Sequence, residues 1–235
     1  MFHILHYDRV GSTNDEARRL AAEGAAHGTV VHADEQTSGR GRLARAWFSP
    51  AGNLYLSILL RLDQPPARIA ELSFAAAVSV ADMVAELLPK TAEVVVKWPN
   101  DVLVDGGKIA GILLEGSDGM VIVGIGVNVL HAPSNAGYRT TTLVRSGGIA
   151  TVDGARDLLL AAFGRHLTTW LADGFMPIRS AWLARSYRIG AALRVGVQGR
   201  TVEGSFAGLD IDGALLLETP EGPKRIVAGD VAVAG

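Results

Sequence analysis

The chain has 235 residues, of which 49% are hydrophobic and 20% charged, a composition typical of a globular protein. A formal net charge of −2 indicates no general attraction to a polyanion, and the absence of cysteine excludes disulfide bonds, thiolate metal sites and a cysteine nucleophile. The N-terminal residues lack a signal-peptide pattern, and no apolar run reaches the roughly 20 residues of a membrane helix. We therefore expect a cytoplasmic protein.

The first four-fifths of the chain is predicted to mix strands and helices. Alternating apolar residues indicate strands, and apolar residues that repeat every three to four positions indicate amphipathic helices. Strands are predicted over residues 2–7, 29–34, 53–62, 92–98, 108–116 and 120–129, and helices over residues 12–24, 69–88, 158–171 and 177–186. The turn sequence at 117–119 makes the last two strands a predicted hairpin.

The pattern changes after Tyr187, where short apolar strands are separated by Gly, Asp-Gly and Pro. We therefore predict two domains, residues 1–187 and residues 188–235. A domain of fewer than about 60 residues buries little surface by itself, so we expect the second domain to pack against the first.

An arginine-rich segment, TSGRGRLARAW at 37–47, has too little apolar material to lie in a core. It has three readings: a solvated loop, an anion-binding loop or a nucleic-acid contact. Glycine lets the backbone approach a ligand, and arginine offers a fork of donors to phosphate or carboxylate. The near-neutral chain disfavours nucleic acid. We expect the loop to be mobile when it is empty.

Two further segments are candidates for chemistry. In residues 97–116, Pro99 starts a turn that continues through Asn100 and Asp101, and Lys108 begins the next strand. Lys108 is either a solvated strand end, of little consequence for stability, or a cation that faces a ligand. The glycines of GIGVN at 124–128 lack dinucleotide-binding spacing, so they serve either close packing or the approach of a flat ligand. The six histidines form no pattern typical of zinc.

In this order, the segments GSTNDEA, EQTSGRGRLARAWFSP, NLYLSILL, KWPNDVLVDGGKIAGILLEG and GIGVNV resemble the motifs of the biotin protein ligases. The resemblance covers residues 6–130 closely, and the tail is similar to that family's small C-terminal domain. It implies an α+β fold of the class II synthetase and biotin ligase type. Such a fold has a mixed, mostly antiparallel sheet flanked by helices, followed by an SH3-like β-barrel.

The resemblance implies a two-step reaction with ATP and Mg²⁺, in which biotin becomes biotinyl-5′-AMP and then passes to a lysine of a biotin carboxyl carrier domain. We expect no nucleic-acid or membrane partner, and a monomer or weak homodimer. A lipoate–protein ligase, which shares the fold and the adenylation chemistry, is the first alternative. A non-catalytic biotin- or nucleotide-binding protein is the second.

The resemblance also implies roles for individual residues. Catalytic roles fall to Lys108, Arg42 and Arg40. The biotin-binding set is Ser12, Thr13, Asn14, Gln36, Arg40, Gly41, Arg42, Lys108, Gly111 and Leu113. The ATP-binding set is Arg42, Trp47, Asn100, Asp101, Gly124, Gly126 and Asn128. Mg²⁺ is expected with the ATP phosphates, near Asn100 and Asp101. Ala44 departs from the glycine usual in the family, so a positive φ there would carry a cost.

Overall fold

The computed structural model describes residues 2–117, 119–197 and 199–233. The strands are β1 His3–Val10, β2 Thr29–Gln36, β3 Leu54–Arg61, β4 Val94–Lys97, β5 Asp101–Val104, β6 Gly107–Ser117, β7 Met120–Val127, β8 Ala192–Val197, β9 Arg200–Leu209, β10 Leu215–Thr219, β11 Gly222–Ile226 and β12 Asp230–Val233. The helices are α1 Thr13–Ala22, α2 Pro66–Ala70, α3 Leu72–Leu87, α4 Val152–Asp173 and α5 Phe175–Ala184.

A seven-stranded sheet organises the larger part of the molecule, in the order β1-β2-β3-β7-β6-β5-β4. β1 runs parallel to β2, and every other neighbouring pair in this sheet is antiparallel. The predicted mixed, mostly antiparallel sheet flanked by helices is therefore confirmed. The hairpin of β6 and β7 lies where the turn at 117–119 predicts it, although residue 118 is outside the described residues.

Helices cover the two faces of this sheet unequally. The main core lies between the sheet and the layer of α3 and α4, with Phe163 and Trp170 fully buried. On the opposite face, α1 packs a smaller cluster: Ala17, Ala21, Val31, Leu59 and Ile122. Because alternate strand residues point to opposite faces, Ser57 lies on the α1 face together with Leu59. α1 covers only part of that face.

The C-terminal residues form a second, five-stranded antiparallel sheet in the order β11-β10-β9-β8-β12. Its apolar residues, Phe206 and Leu215 among them, belong to the same contiguous core as the helical layer. The Trp98 indole Nε1 donates a hydrogen bond of 3.0 Å to the Gly213 carbonyl. The small sheet thus packs against the larger part of the molecule, as expected for a segment too short to bury much surface by itself.

Three elements differ from the sequence-based expectation. A strand, β5, starts at Asp101 where the sequence predicts that a turn continues, because the short apolar run after it pairs with both β4 and β6. The helix predicted over 69–88 is two helices that meet near Glu71. α4 begins at Val152, capped by the Thr151 hydroxyl, six residues before the predicted start. No helix among the described residues is long and apolar enough to cross a membrane.

Candidate active site

The floor of the candidate site is the part of the sheet that α1 leaves uncovered. Here β6 and β7 place Gly111 opposite Gly126 and Leu113 opposite Gly124. These four residues face the same side, and three of them lack side chains. The sequence therefore builds a flat floor across two paired strands, over which other elements bring polar and charged side chains.

A buried polar cluster lies at one end of this floor, at the start of α1. The Asn14 carboxamide lies over Gly124, where a Cβ would be 2.2 Å from Asn14 Oδ1. Ser57 Oγ donates to Asn14 Oδ1 at 2.6 Å and lies 2.8 Å from Thr13 Oγ1. The Thr13 backbone N–H and hydroxyl both donate to Gln36 Oε1, at 2.9 and 3.1 Å. These groups offer several donors and acceptors within a small apolar setting, which suits a compact polar ring.

Trp47 covers the middle of the floor. A Cβ on Gly126 would be 2.4 Å from the Trp47 Nε1, and one on Gly111 would be 3.2 Å from the same indole. The indole Nε1 is buried and has no hydrogen-bond partner within the described part of the chain. Lys108 Nζ lies 5.3 Å from the Trp47 ring and 5.5 Å from the Tyr138 ring, within range of cation–π attraction.

A buried carboxylate holds two lysines beside Trp47. Asp101 lies 2.6 Å from Lys108 Nζ and 2.9 Å from Lys97 Nζ. Burial opposes ionisation of Asp101, but the two lysines outweigh it and lower the pKa of this carboxyl group. Lys97 also donates to the Val231 carbonyl at 3.2 Å. Lys108 is therefore part of a buried ion cluster rather than a solvated strand end, and we now expect it to contribute to stability.

The arginine loop closes over this site as a tight turn. Arg40 and Ala46 form an isolated antiparallel bridge, and a short 3₁₀ turn spans Arg42–Ala44. Leu43 and Ala44 both have a φ of 56°, in the left-handed region that favours glycine. Alanine thus stands where the backbone needs a positive φ, as the departure from the family pattern predicts.

The arginines of the loop point to different partners. The Arg40 guanidinium donates to the Asp15 carboxylate at 2.6 and 2.7 Å and reaches Glu115 at 3.1 Å. Arg42 donates to Asn100 Oδ1 at 3.4 Å and to the Gly229 carbonyl at 3.2 Å. Arg40 therefore lies on the α1 side of the site, and Arg42 lies on the side that the C-terminal sheet borders.

The C-terminal sheet supplies one wall of the site through β12. Asp230 lies 2.5 Å from Arg45 and 3.5 Å from Arg42. Three residues of this strand line the cavity: Asp230, Val231 and Ala232. The cations at this end of the cavity, Arg42 and Arg45 among them, would attract the phosphates of a nucleotide.

One cavity of about 290 Å³ collects these groups. Every residue that the resemblance assigns to biotin, ATP or catalysis lines it except Asn128. Asn128 is 2% exposed, and its amide donates to the carbonyls of Lys108 and Thr141. It therefore supports the backbone that carries Lys108. Gly124 lies under Asn14 rather than under Trp47, so it borders the polar end of the cavity.

Sequence analysis missed four residues of the site. Lys97 and Asp230 line the cavity, and Ser57 and Glu115 form hydrogen bonds with Asn14, which lines it. Ser57 had no clear signal, because it alternates with the apolar residues that predict this strand and so falls on the face that the pattern leaves outside the main core. Glu115 lies within the motif at 97–116, which assigns it no role, and Asp230 lies in no motif; each contacts residues far along the chain. Among the described residues, no group of three or more His, Asp or Glu side chains could hold a metal ion by itself.

Comparison with known proteins is consistent across sequence and structure. Residues 7–130 match the family model described as the Biotin/lipoate A/B protein ligase family, and residues 189–233 match the Biotin protein ligase C terminal domain. A biotin--[acetyl-CoA-carboxylase] ligase of Paracoccus denitrificans is 39% identical over 97% of this chain and 99% of its own. The bifunctional ligase/repressor BirA of Bacillus subtilis is 36% identical, over 97% of this chain and 73% of its own.

Solved structures agree with these matches. The biotin protein ligase from Aquifex aeolicus in complex with biotin and ATP has a TM-score of 0.86 and 28% sequence identity, over 99% of both chains. An apo structure of the same ligase has a TM-score of 0.81 over the full length of both chains. The agreement extends through the cavity-bearing sheet and the C-terminal sheet together. The chain belongs to the biotin protein ligase family.

Proposed function

We propose that this protein activates biotin with ATP, as biotinyl-5′-AMP, and transfers the biotinyl group to a lysine of the biotin carboxyl carrier of acetyl-CoA carboxylase. The observation that carries the proposal is the order of groups along one cavity. A polar cluster at Asn14 is followed by a glycine floor under Trp47 and then by a group of cations that includes Lys108 and Arg42. This order matches a polar bicyclic ring, then an acyl chain beside a flat adenine, and then a triphosphate.

Biotin binding is assigned to the polar end of the cavity. The ureido group of biotin has one carbonyl acceptor and two N–H donors, which Thr13, Asn14 and Gln36 can satisfy. We assign to biotin Ser12, Thr13, Asn14, Gln36, Gly41, Gly111 and Leu113, and we add Gly124 because it lies under Asn14. The valeryl chain would then run over the floor toward Lys108.

Adenylation requires an anionic carboxylate to attack the anionic α-phosphate, with pyrophosphate as the leaving group. Fixed cations offset this repulsion and stabilise the charge that develops in the transition state. Lys108 is held by Asp101 beside the floor, and Arg42 lies at the end bordered by β12. We assign Lys108 to the carboxylate and the α-phosphate oxygens, and Arg42 to the nucleotide phosphates, with Trp47, Asn100, Asp101 and Gly126 also on the nucleotide side.

Mg²⁺ fits this cavity as an ion that arrives with ATP. Both oxygens of the Asp101 carboxylate face lysines, and Asn100 Oδ1 faces Arg42. Mg²⁺ in nucleotide sites is held largely by the phosphates and water, so we place the ion on the phosphates, with Asn100 and Asp101 as its neighbours in the protein. The ion would neutralise phosphate charge during the attack.

The arginine loop protects the product of the first step. A mixed anhydride must be kept from water until the carrier lysine attacks it. Arg40 is tied to α1 through Asp15, whereas Arg42 and Arg45 are tied to Asp230 of β12. The loop therefore spans the cavity mouth between two anchors, and we propose that it opens for ATP and closes over biotinyl-5′-AMP. This makes residues 1–187 a catalytic domain and residues 188–235 a second domain that completes its wall.

The oligomeric state belongs to the same proposal, as a monomer or a weak homodimer. The outer strands of the large sheet are β1 and β4. On β4 the Val96 N–H already donates to the Arg185 carbonyl at 2.9 Å, so that edge is partly satisfied within the chain. β1 remains the better edge for a second strand, from another copy or from the carrier.

A pyrophosphate-release assay tests the proposed function. The purified protein is given ATP and Mg²⁺ with biotin, with lipoate or with neither, and label transfer to an apo carrier domain is then measured. We expect release with biotin only, followed by transfer to one carrier lysine. Release with lipoate and not with biotin would establish the lipoate ligase instead. Tight biotin binding without release would establish the non-catalytic binder.

A further inference from the structure

Glu115 is the meeting point of the polar end of the cavity and the arginine loop. It lies on β6, two residues beyond Leu113, so its side chain is on the same face as the floor of the site. Its carboxylate accepts from Asn14 Nδ2 at 2.8 Å, from Arg18 at 3.0 Å and from Arg40 at 3.1 Å. The side chain is only 25% exposed. No motif of the sequence assigns it a role.

The contact with Asn14 fixes the orientation of the Asn14 amide. An ionised carboxylate only accepts hydrogen bonds, so the atom of Asn14 that faces Glu115 must be the NH₂ group. The Asn14 oxygen is thereby turned toward Ser57, whose hydroxyl donates to it. Within the described chain Nδ2 has one acceptor, Glu115, so its second hydrogen is left to offer a ligand. Glu115 thus sets Asn14 as a donor to the cavity.

The contact with Arg40 connects the same carboxylate to the loop. Arg40 lies at the first end of the turn, bridged to Ala46. From Asn14 a series of short polar contacts leads to the other end of the turn. Ser57 donates to Asn14 and lies 2.8 Å from Thr13 Oγ1, Thr13 donates to Gln36, Gln36 donates to Ser49, and Ser49 donates to the Trp47 carbonyl. The residues assigned to the biotin ring therefore lie on one series of polar contacts between the two ends of the loop.

We propose that Glu115 is a positioning residue that couples recognition of the biotin ring to placement of the arginine loop, by holding the Asn14 amide and the Arg40 guanidinium with one carboxylate. The proposal rests on the proposed function, because it takes the polar end of the cavity as the place of the biotin ring. Glu115 touches neither the reacting carboxylate nor the phosphates, since Leu113 and Gly111 separate it from Lys108 along β6.

Asp15 offers a matched control for this role. It also binds Arg40, at 2.6 and 2.7 Å, and it also binds Arg18, at 2.9 Å. Unlike Glu115, it makes no contact with Asn14 among the described side-chain hydrogen bonds. Asp15→Asn and Glu115→Gln each remove one negative charge beside Arg40, but only the second disturbs Asn14.

The glutamine variant separates the two contacts. A glutamine at 115 has one acceptor oxygen, so it can face either Asn14 or Arg40, and its NH₂ group then opposes a donor on the other side. We expect Glu115→Gln to raise the Kd of biotin, measured by calorimetry without ATP, by about tenfold to a hundredfold, the cost of a lost hydrogen bond to a charged group. Asp15→Asn should raise it less than about threefold. Equal effects of the two variants would overturn the proposal.

A double-mutant cycle tests whether Glu115 acts through Asn14. In the Asn14→Ala background, Glu115→Ala should add less than about threefold to the biotin Kd, although alone it raises that constant at least tenfold. A purely structural loss would weaken binding equally in both backgrounds and would refute the coupling. Thermal unfolding of each variant, with Asp15→Asn as reference, identifies any variant that is simply misfolded.

A structural readout separates this proposal from the proposed function. In a crystal structure of ligand-free Glu115→Ala, we expect the Asn14 amide to rotate and the Arg40 end of the loop to shift. Unchanged positions of both side chains would overturn the positioning role even in a protein that binds biotin. If the wild type binds no biotin, the proposed function fails, and this structure still decides whether Glu115 positions the two groups.

Discussion

Two glycines of the cavity floor give a direct test of which end holds which substrate. Gly124 and Gly126 lie on the same strand and the same face, and each is an ordinary strand position for alanine. A Cβ on Gly126 would be 2.4 Å from Trp47 Nε1, and a Cβ on Gly124 would be 2.2 Å from Asn14 Oδ1. Because ordinary contact begins at 3.4 Å, Gly126→Ala must displace the indole by about 1 Å, and Gly124→Ala must displace the amide by slightly more.

The expected size of each effect follows from overpacking. Inserting a methyl group into a packed contact costs about 1–3 kcal/mol, which corresponds to roughly a fivefold to 150-fold loss of affinity. Gly126→Ala should therefore raise the ATP KM by that factor and change the biotin Kd less than about threefold. Gly124→Ala should instead raise the biotin Kd by that factor and change the ATP KM less than about threefold, because the displaced Asn14 amide belongs to the polar end of the cavity.

Steady-state pyrophosphate release at varied ATP, together with biotin calorimetry, measures both constants. Gly111→Ala is the matched control, since its Cβ would be 3.2 Å from the same indole and needs a shift of only about 0.2 Å. We expect that variant to keep the ATP KM within about threefold of the wild type. If Gly124→Ala and Gly126→Ala impair the same substrate, the assignment of the two ends of the cavity is wrong.

Three further predictions concern the ion cluster, a buried histidine and the loop. Lys108→Ala should abolish most pyrophosphate release and lower the free energy of unfolding by about 1–3 kcal/mol, because the buried Asp101 carboxylate would then have only Lys97 as a partner. The release assay and denaturant unfolding measure the two effects. An unchanged free energy of unfolding would contradict a stabilising role for the ion cluster. Burial lowers the pKa of His32, so the unfolded chain takes up its proton first and stability should fall as pH drops below about 6.5. Melting curves from pH 7 to 5 should show this fall in the wild type and a smaller one in His32→Gln. Ala44→Gly should stabilise the observed turn by about 1 kcal/mol, because Ala44 has a φ of 56°. We expect slower hydrogen exchange at the Gly41 and Arg45 amides, and faster exchange would contradict this prediction.

Elements whose residues interact locally could be predicted from the amino-acid sequence. The alternation of Leu54, Leu56, Ile58 and Leu60 predicts β3, and the 3.6-residue repeat predicts the long helices, since both patterns follow from which face is buried. The ordered motifs also identified the family, and fifteen of the sixteen predicted site residues line one cavity. Motif residues are readable in this way because backbone geometry and ligand chemistry restrict the residue types that fit.

The contacts that hold those residues in place depend on segments far apart in the chain. Asn14 and Glu115 are 101 positions apart in the chain, and Arg45 and Asp230 are 185 apart, so no local pattern could pair them. The same holds for Asn128, which the motif places near the nucleotide and which the fold turns inward to hold the Lys108 backbone. Strand β5 was missed because four residues become a strand only when partners on both sides supply the hydrogen bonds. Residue type and spacing indicate which secondary structure and which ligand chemistry a segment suits. The hydrogen-bond or ion-pair partner of a buried charge or amide depends instead on which distant segments the sheet brings together.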